Sequence, residues 1–69
     1  MLPVNFMVIY INNIAVRLFR GAKVEDALQK FSGKQLREIV AGRKKVLDCT
    51  GRPATLGCRL CEGDQFSIL

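Results

Sequence analysis

The sequence predicts an α+β fold in which a mixed β-sheet packs on one main helix. Two observations carry this prediction. Residues 9–28 read IYINNIAVRLFRGAKVEDAL, in which two apolar strands, two turns and an amphipathic helix follow one another without a spacer. The last segment, residues 60–69, reads LCEGDQFSIL, a tight turn followed by a strand. Since no linker, repeat or low-complexity segment interrupts the chain, residues 1–69 are expected to form a single domain.

The first predicted element is a β-hairpin. Residues 6–11 form an apolar run rich in β-branched and aromatic side chains, and the run is too short for a typical helix. Asn12 and Asn13 follow, and asparagine tolerates the left-handed backbone conformation that a two-residue hairpin turn requires. In residues 14–19, Val16 and Leu18 share one face of a strand while Arg17 points away.

Two helices are predicted after a turn at residues 20–23. Apolar residues recur at helical spacing over residues 24–31, with acidic residues in the first turn and Lys30 in the last, as the helix dipole favours. Ser32 and Gly33 are expected to end this main helix, because glycine is favoured just past a helix terminus. A second, shorter helix is predicted over residues 34–41, with Leu36, Ile39 and Val40 facing inward and Gly42 ending it.

The rest of the chain is predicted as two strands joined by turns and an irregular segment. Residues 44–49 and 65–69 have the composition of strands, and residues 50–53 and 62–64 that of turns. Residues 54–60 are expected to be irregular or briefly extended. The predicted core consists of Ile9, Ile11, Val16, Leu18, Val24, Leu28, Phe31, Leu47, Leu60, Phe66 and Ile68.

Composition argues against an enzyme. The chain has no histidine, so the usual general acid–base residue near neutral pH is missing, and no serine or threonine has an evident partner base. Eleven Lys and Arg against six Asp and Glu give a formal net charge of +5. That charge attracts nucleic acid, anionic lipid or an acidic protein face, or it simply keeps a small domain soluble. The few aromatic residues do not interleave with the basic ones, which weakens a nucleic-acid interpretation.

The expected compartment is the cytoplasm. The apolar start, residues 1–11, is shorter than a membrane span and lacks the basic region and cleavage site of a signal peptide. Three cysteines, an odd number, do not suggest a disulfide framework. No membrane partner is therefore expected.

The cysteines allow two interpretations. Cys58 and Cys61 have the C-x₂-C spacing at which two sulfurs can meet one metal ion or form a disulfide, and Cys49 could fold back as a third ligand. Such a site would hold zinc or iron, with Asp48 or Asp64 as a fourth ligand, although a structural zinc site normally takes four Cys or His ligands. Alternatively, Cys49 and one of the pair Cys58 and Cys61 are small apolar core residues, or the cysteines have no specific role.

The order of elements resembles the β-grasp, or ubiquitin-like, superfold, and in particular the sulfur-carrier proteins of thiamin and molybdopterin biosynthesis. Those carriers show a strand ending in Asn-Gly, an apolar alternation, Glu-Gly-Thr-Thr-Val and a helix with an acidic start. Residues 11–13 (INN), 16–18 (VRL) and 20–28 (RGAKVEDAL) follow that pattern, and residues 60–68 (LCEGDQFSI) resemble the ending of the carriers and of TGS domains. The resemblance implies that the first and last strands are adjacent and parallel.

The resemblance does not extend to the carriers' reactive tail. Sulfur carriers end in an exposed Gly-Gly whose carboxylate is adenylated, whereas this sequence ends Phe-Ser-Ile-Leu. We therefore expect neither adenylation nor thiocarboxylation at Leu69. The leading hypothesis is a small non-catalytic ubiquitin-like module that binds a protein partner and assists a larger enzyme or pathway. The alternatives are a metal-binding or thiol-redox accessory protein using Cys58 and Cys61 with Cys49, a TGS-like RNA-binding module, and a degenerate sulfur carrier.

Overall fold

A computed structural model describes residues 5–69 and confirms the α+β class, with a four-stranded mixed sheet and two helices. The strands lie in the order β2-β1-β4-β3. Residues 1–4, which begin the apolar start of the chain, lie outside the described part. In chain order the elements are β1 (Phe6–Ile11), β2 (Ile14–Phe19), α1 (Val24–Phe31), α2 (Gly33–Val40), β3 (Val46–Leu47) and β4 (Gln65–Ile68).

The predicted hairpin forms as expected. Asn12 and Asn13 have φ values of 51° and 67°, the left-handed conformation that a two-residue turn demands. This turn sets the antiparallel register of β1 and β2, which runs from Ile11 opposite Ile14 to Phe6 opposite Phe19. The register in turn fixes which side chains of the hairpin face the core.

The first and last strands are adjacent and parallel, as predicted. Ile11 of β1 pairs with Phe66 of β4, and the Asn12 amide donates to the Phe66 carbonyl at 2.9 Å. The turn before β4 also bonds to β1, since the Gly63 amide donates to the Val8 carbonyl at 2.9 Å. Gly63 has a φ of 83°, which a side chain would strain. The end of the described chain is therefore anchored to its beginning.

The core lies between the sheet and α1. Met7, Ala27 and Val46 belong to it although the predicted core did not include them, and Phe31 and Ile68 are half-buried rather than buried. The fully buried hydrophobic residues are Met7, Ile9, Ile11, Val16, Leu18, Val24, Ala27, Leu28, Val46, Leu60 and Phe66.

The expectation of one main helix is wrong, because α1 and α2 each span eight residues. Ser32 separates them in an extended conformation (φ −168°, ψ 112°), and its hydroxyl accepts a hydrogen bond from the Gln35 amide at 3.3 Å. Gly33, expected to end the first helix, instead begins the second. A serine that caps the next helix can thus end the preceding helix without a glycine in the left-handed conformation.

The inward face predicted for the second helix is also partly wrong. Leu36 and Ile39 pack half-buried against the core, but Val40 is 68% exposed. α2 has no fully buried residue, because it contacts the core along one side only.

The third strand, Val46–Leu47, is much shorter than the predicted 44–49. Its buried residue is also not the predicted one. Val46 is buried opposite Ile68, whereas Leu47, predicted as a core residue, is half-buried opposite Ser67. The Asp48 side chain ends the strand, because its Oδ1 accepts from the amides of Thr50 and Arg52 at 2.9 and 3.1 Å. These bonds fold residues 48–52 into a turn.

The last strand ends at Ile68 rather than Leu69. Leu69 is nevertheless paired, because its amide donates to the Lys45 carbonyl at 2.8 Å and its carbonyl accepts from the Lys45 amide at 3.1 Å.

Candidate functional site on the outer face of the sheet

The outer face of the β1–β2 hairpin carries an aromatic pair. Phe6 and Phe19 are cross-strand partners, and their rings stack with centroids 5.2 Å apart at an interplanar angle of 30°. The Arg17 guanidinium lies over the Phe6 ring, 4.9 Å from its centroid. Stacking and the cation–π contact together fix the orientation of these three side chains.

This patch continues along β1. Val8 and Tyr10 follow Phe6 at alternate positions and therefore point to the same face, where Val8 is half-buried and Tyr10 is 37% exposed. Phe19 is 69% exposed. We call the set Phe6, Val8, Tyr10, Arg17 and Phe19 the outer-face patch. Among residues 5–69 it is left open, because the buried residues and α1 lie on the opposite face of the sheet.

An ion pair anchors one border of the patch. The Arg20 guanidinium lies 3.8 Å from Glu62 Oε1, and both side chains are more than half exposed. Glu62 Oε2 also accepts a hydrogen bond from the Val8 amide at 2.9 Å. An exposed ion pair contributes little stability, but here the same carboxylate ties the turn before β4 to β1.

Sequence reasoning missed the patch, although the signal was present. A two-residue turn at Asn12 and Asn13 places Phe6 opposite Phe19, and the burial of Val16 and Leu18 sends Phe19 to the other face. Counting outward from the turn would have predicted the aromatic pair.

The three cysteines are all exposed free thiols, so the interpretation of Cys49 and one of the pair Cys58 and Cys61 as core residues is wrong. Buried Leu60 lies between Cys58 and Cys61, and its packing turns its neighbours outward. The Cys58 carbonyl accepts from the Val24 amide at 3.0 Å, and the Cys61 amide donates to Asp64 Oδ2 at 2.8 Å.

Within residues 5–69 no three His, Cys, Asp or Glu side chains come together in a way that could hold a metal ion. The two carboxylates considered as further ligands are engaged in turns. Asp64 accepts from the Cys61 amide, and the Thr50 hydroxyl, 2.6 Å from Asp48, lowers the pKa of that carboxyl with help from the Arg52 and Thr50 amides. Binding of zinc or iron by Cys49, Cys58 and Cys61 stays a prediction.

The basic run at residues 43–45 is partly neutralised. Arg43 donates a hydrogen bond to Glu38, which, together with the charges of Arg43, Lys44 and Lys34, lowers the pKa of the Glu38 carboxyl. The ionised carboxylate reduces the positive potential that this run would offer to a phosphate backbone.

The chain matches no protein-family model, no curated protein and no solved structure. Neither helix in the described part of the chain has the length and apolar character needed to cross a membrane.

Proposed function

We propose that this protein is a small non-catalytic interaction module of the β-grasp, ubiquitin-like kind that binds a protein partner through the hairpin β1–β2. It serves as an accessory to a larger enzyme or pathway in the cytoplasm. The β-grasp part of the proposal is supported by a hairpin followed by a helix, and by the parallel pairing of β1 with β4 in the order β2-β1-β4-β3.

The observation that carries the proposal is the outer-face patch. Isolated exposed apolar residues are normal, but a contiguous group containing two stacked phenylalanines and a tyrosine marks an interaction surface. Aromatic residues and arginine are also the side chains most enriched at binding hot spots. The absence of histidine from the sequence supports binding rather than acid–base chemistry.

Phe19→Asp tests the proposal, because it replaces the most exposed member of the aromatic pair with a charge. Val40→Asp is the matched control, since Val40 on α2 is 68% exposed against 69% for Phe19. Wild-type protein and both variants are immobilised and challenged with lysate of the producing cells, and bound proteins are quantified by mass spectrometry. We expect the wild type and Val40→Asp to retain the same partner and Phe19→Asp to lose at least about 90% of it, as for a hot-spot residue.

Equal capture by all three proteins would contradict the proposal. Circular dichroism and urea unfolding of each variant exclude loss of folding as the cause. Sedimentation over a range of concentrations identifies self-association, and a patch buried only between two copies of this chain would also contradict an accessory role.

A further inference from the structure

We infer that a basic surface on α2 and the loop after it binds the phosphate backbone of a nucleic acid duplex. The inference does not depend on the proposed function, because it uses other residues than the outer-face patch and another class of partner. We call this surface the α2 basic patch, and its members are Lys34, Arg37, Arg43, Lys44 and Lys45.

Nearly all of the net charge of the protein is concentrated in this patch. Residues 33–47 contain five of the eleven Lys and Arg residues but one of the six Asp and Glu residues, Glu38. The rest of the chain carries six basic residues against five acidic ones. A charge that served only solubility would be spread over the surface with both signs interspersed, so the concentration points to an anionic ligand.

The end of α2 brings the members of the patch together. Gly42 has a φ of 82°, and the left-handed residue turns the chain back on the helix. The amides of Arg43 and Lys44 then both donate to the Glu38 carbonyl, at 2.9 and 3.2 Å. A hydrogen bond from Arg43 and the charges of Arg43, Lys44 and Lys34 lower the pKa of the Glu38 carboxyl, so these cations surround one point.

Lys45 is held at the border of the patch by the sheet. Its amide donates to the Leu69 carbonyl at 3.1 Å, and its carbonyl accepts from the Leu69 amide at 2.8 Å. Val46 beside it is buried while Lys45 is exposed, as the alternation of a strand requires. The patch is thus presented by paired backbone, which lowers the entropy cost of binding.

The helix dipole explains part of the patch but not Lys34. Cations are stabilised near the C-terminus of a helix, where Arg43 and Lys44 lie, and are unfavourable near its N-terminus. Lys34 lies in the first turn of α2, which has no acidic residue. Glu38 follows Lys34 by four positions, and lysine before glutamate is the less favourable order for such a pair. The charge of Lys34 therefore contributes little to the stability of α2 and is available to a ligand.

Most of the patch stays unpaired. Among residues 5–69, Arg43 forms an ion pair with Glu38, and the other four cations have no carboxylate within 4.0 Å. Lys34, Arg37 and Lys45 are also exposed. Four positive charges therefore remain for phosphates even when Glu38 is ionised.

The composition of the patch favours a duplex over a protein surface or a single strand. Residues 33–47 contain no aromatic residue. Single strands are held by stacking on aromatic side chains, and binding hot spots in protein interfaces are enriched in tyrosine and tryptophan. A duplex presents closely spaced phosphates that lysine and arginine contact without reading sequence. Duplex DNA and duplex RNA share this chemistry.

The salt dependence of binding tests the inference on the wild-type protein. The full chain is titrated into a short fluorescein-labelled DNA duplex, and binding is followed by fluorescence anisotropy. Four phosphate contacts predict a slope of about −3.6 for log K against log salt, so affinity should fall about 10²-fold between about 50 and 200 mM salt. No binding at about 50 mM salt, or a slope near zero, would overturn the inference.

The strandedness of the ligand is tested with the same assay. An RNA duplex of the same length should bind with a similar slope, whereas a single strand should bind more weakly because its charge density is lower. Tighter binding of the single strand than of the duplex would contradict the inference.

The location is tested with the double variant Lys34→Gln/Arg37→Gln. The control Lys23→Gln/Arg59→Gln also removes one lysine and one arginine, from exposed positions that pair with each other before α1. We expect the first variant to reduce the slope by about 1.8 and the control by less than about 0.5. Equal effects would show that net charge rather than the patch binds the duplex, and would overturn the inference. Circular dichroism verifies the folding of both variants.

Poly-glutamate distinguishes a duplex from an acidic protein surface. Its charges are spaced about 3.5 Å apart along an extended chain, against about 1.7 Å along a duplex. At equal concentrations of charge it should therefore displace the labelled duplex less effectively than unlabelled duplex does. Equal competition would overturn the inference in favour of an acidic protein surface.

The variants that test the proposed function separate it from this inference. Val40 follows Arg37 by one helical turn, so Val40→Asp places a carboxylate in the α2 basic patch. Val40→Asp should weaken duplex binding and retain the protein partner, whereas Phe19→Asp should do the opposite. Duplex binding that is lost in Phe19→Asp and kept in Val40→Asp would overturn the inference, whatever the outcome for the protein partner.

Discussion

At the scale of single residues, three side chains hold the sheet and α1 together. Ile9, Ile11 and Leu28 are the largest side chains that are fully buried. Two come from β1 and one from α1, and all three belong to the core between the sheet and the helix. A domain of this size buries only about 60% of the surface its unfolded chain exposes, and each such side chain is a large share of the core.

Leu28→Ala is expected to lower the free energy of unfolding by about 2–5 kcal/mol, the range for truncation of a buried leucine that leaves a cavity. Val40→Ala, at an exposed apolar position, should change it by less than about 0.5 kcal/mol. Urea unfolding followed by circular dichroism measures both. A small loss for Leu28→Ala would mean that α1 does not cover the sheet as described.

At the scale of elements, the Asn12–Asn13 turn connects more than β1 and β2. Both asparagines adopt the left-handed conformation, but within residues 5–69 only the Asn12 side chain bonds to another strand, since its Oδ1 accepts from the Ile68 amide at 2.9 Å. The hairpin turn thereby also holds the end of β4.

The pair Asn12→Gly and Asn13→Gly isolates that contact, because glycine adopts the left-handed conformation without strain at either position. Asn12→Gly should destabilise the protein by about 1 kcal/mol more than Asn13→Gly, the net value of one hydrogen bond. Equal unfolding midpoints in urea would show that the Asn12 side chain does not stabilise β4.

Locally determined elements could be predicted from the sequence. The hairpin follows from two asparagines between apolar strands, and α1 follows from its apolar spacing and the charges at its ends. The turn at Gly63 is equally local. In each case the residues that determine the conformation are within a few positions of one another.

Features that depend on residues far apart in the sequence could not be predicted. Val46 rather than Leu47 is buried because the register of β3 against β4 determines which side chains of β3 point to the core. Residues 44–49 alone do not determine that register. The exposure of Val40 and of all three cysteines depends likewise on how α2 and residues 49–61 pack. The Lys30 contact with Arg17 joins residues 13 positions apart, and neither residue type indicates it alone.

At the scale of the whole molecule, the last strand in sequence is central in space. β4 lies between β1 and β3, and only β2 and β3 form the edges of the sheet. Unpairing β4 would divide the sheet and expose the core residue Phe66. Breaking the hydrogen bonds between β1 and β4 therefore requires unfolding of the whole domain. The amides on the outer edge of β2 can exchange their hydrogens with solvent without such unfolding.

Native-state hydrogen exchange should distinguish amides that exchange only through global unfolding from amides that exchange in the folded protein. The amides of Tyr10 and Asn12 donate to the carbonyls of Asp64 and Phe66 at 2.8 and 2.9 Å, so their exchange should require global unfolding. The amides of Ala15 and Arg17 point to the open edge and should exchange about 10³-fold faster or more, since global unfolding costs at least about 5 kcal/mol. Low urea should accelerate Tyr10 and Asn12 and leave Ala15 and Arg17 nearly unchanged, because only the first pair exchanges through exposure of the core. Equal protection of both pairs in the dilute protein would contradict the position of β2 as an open edge of the sheet.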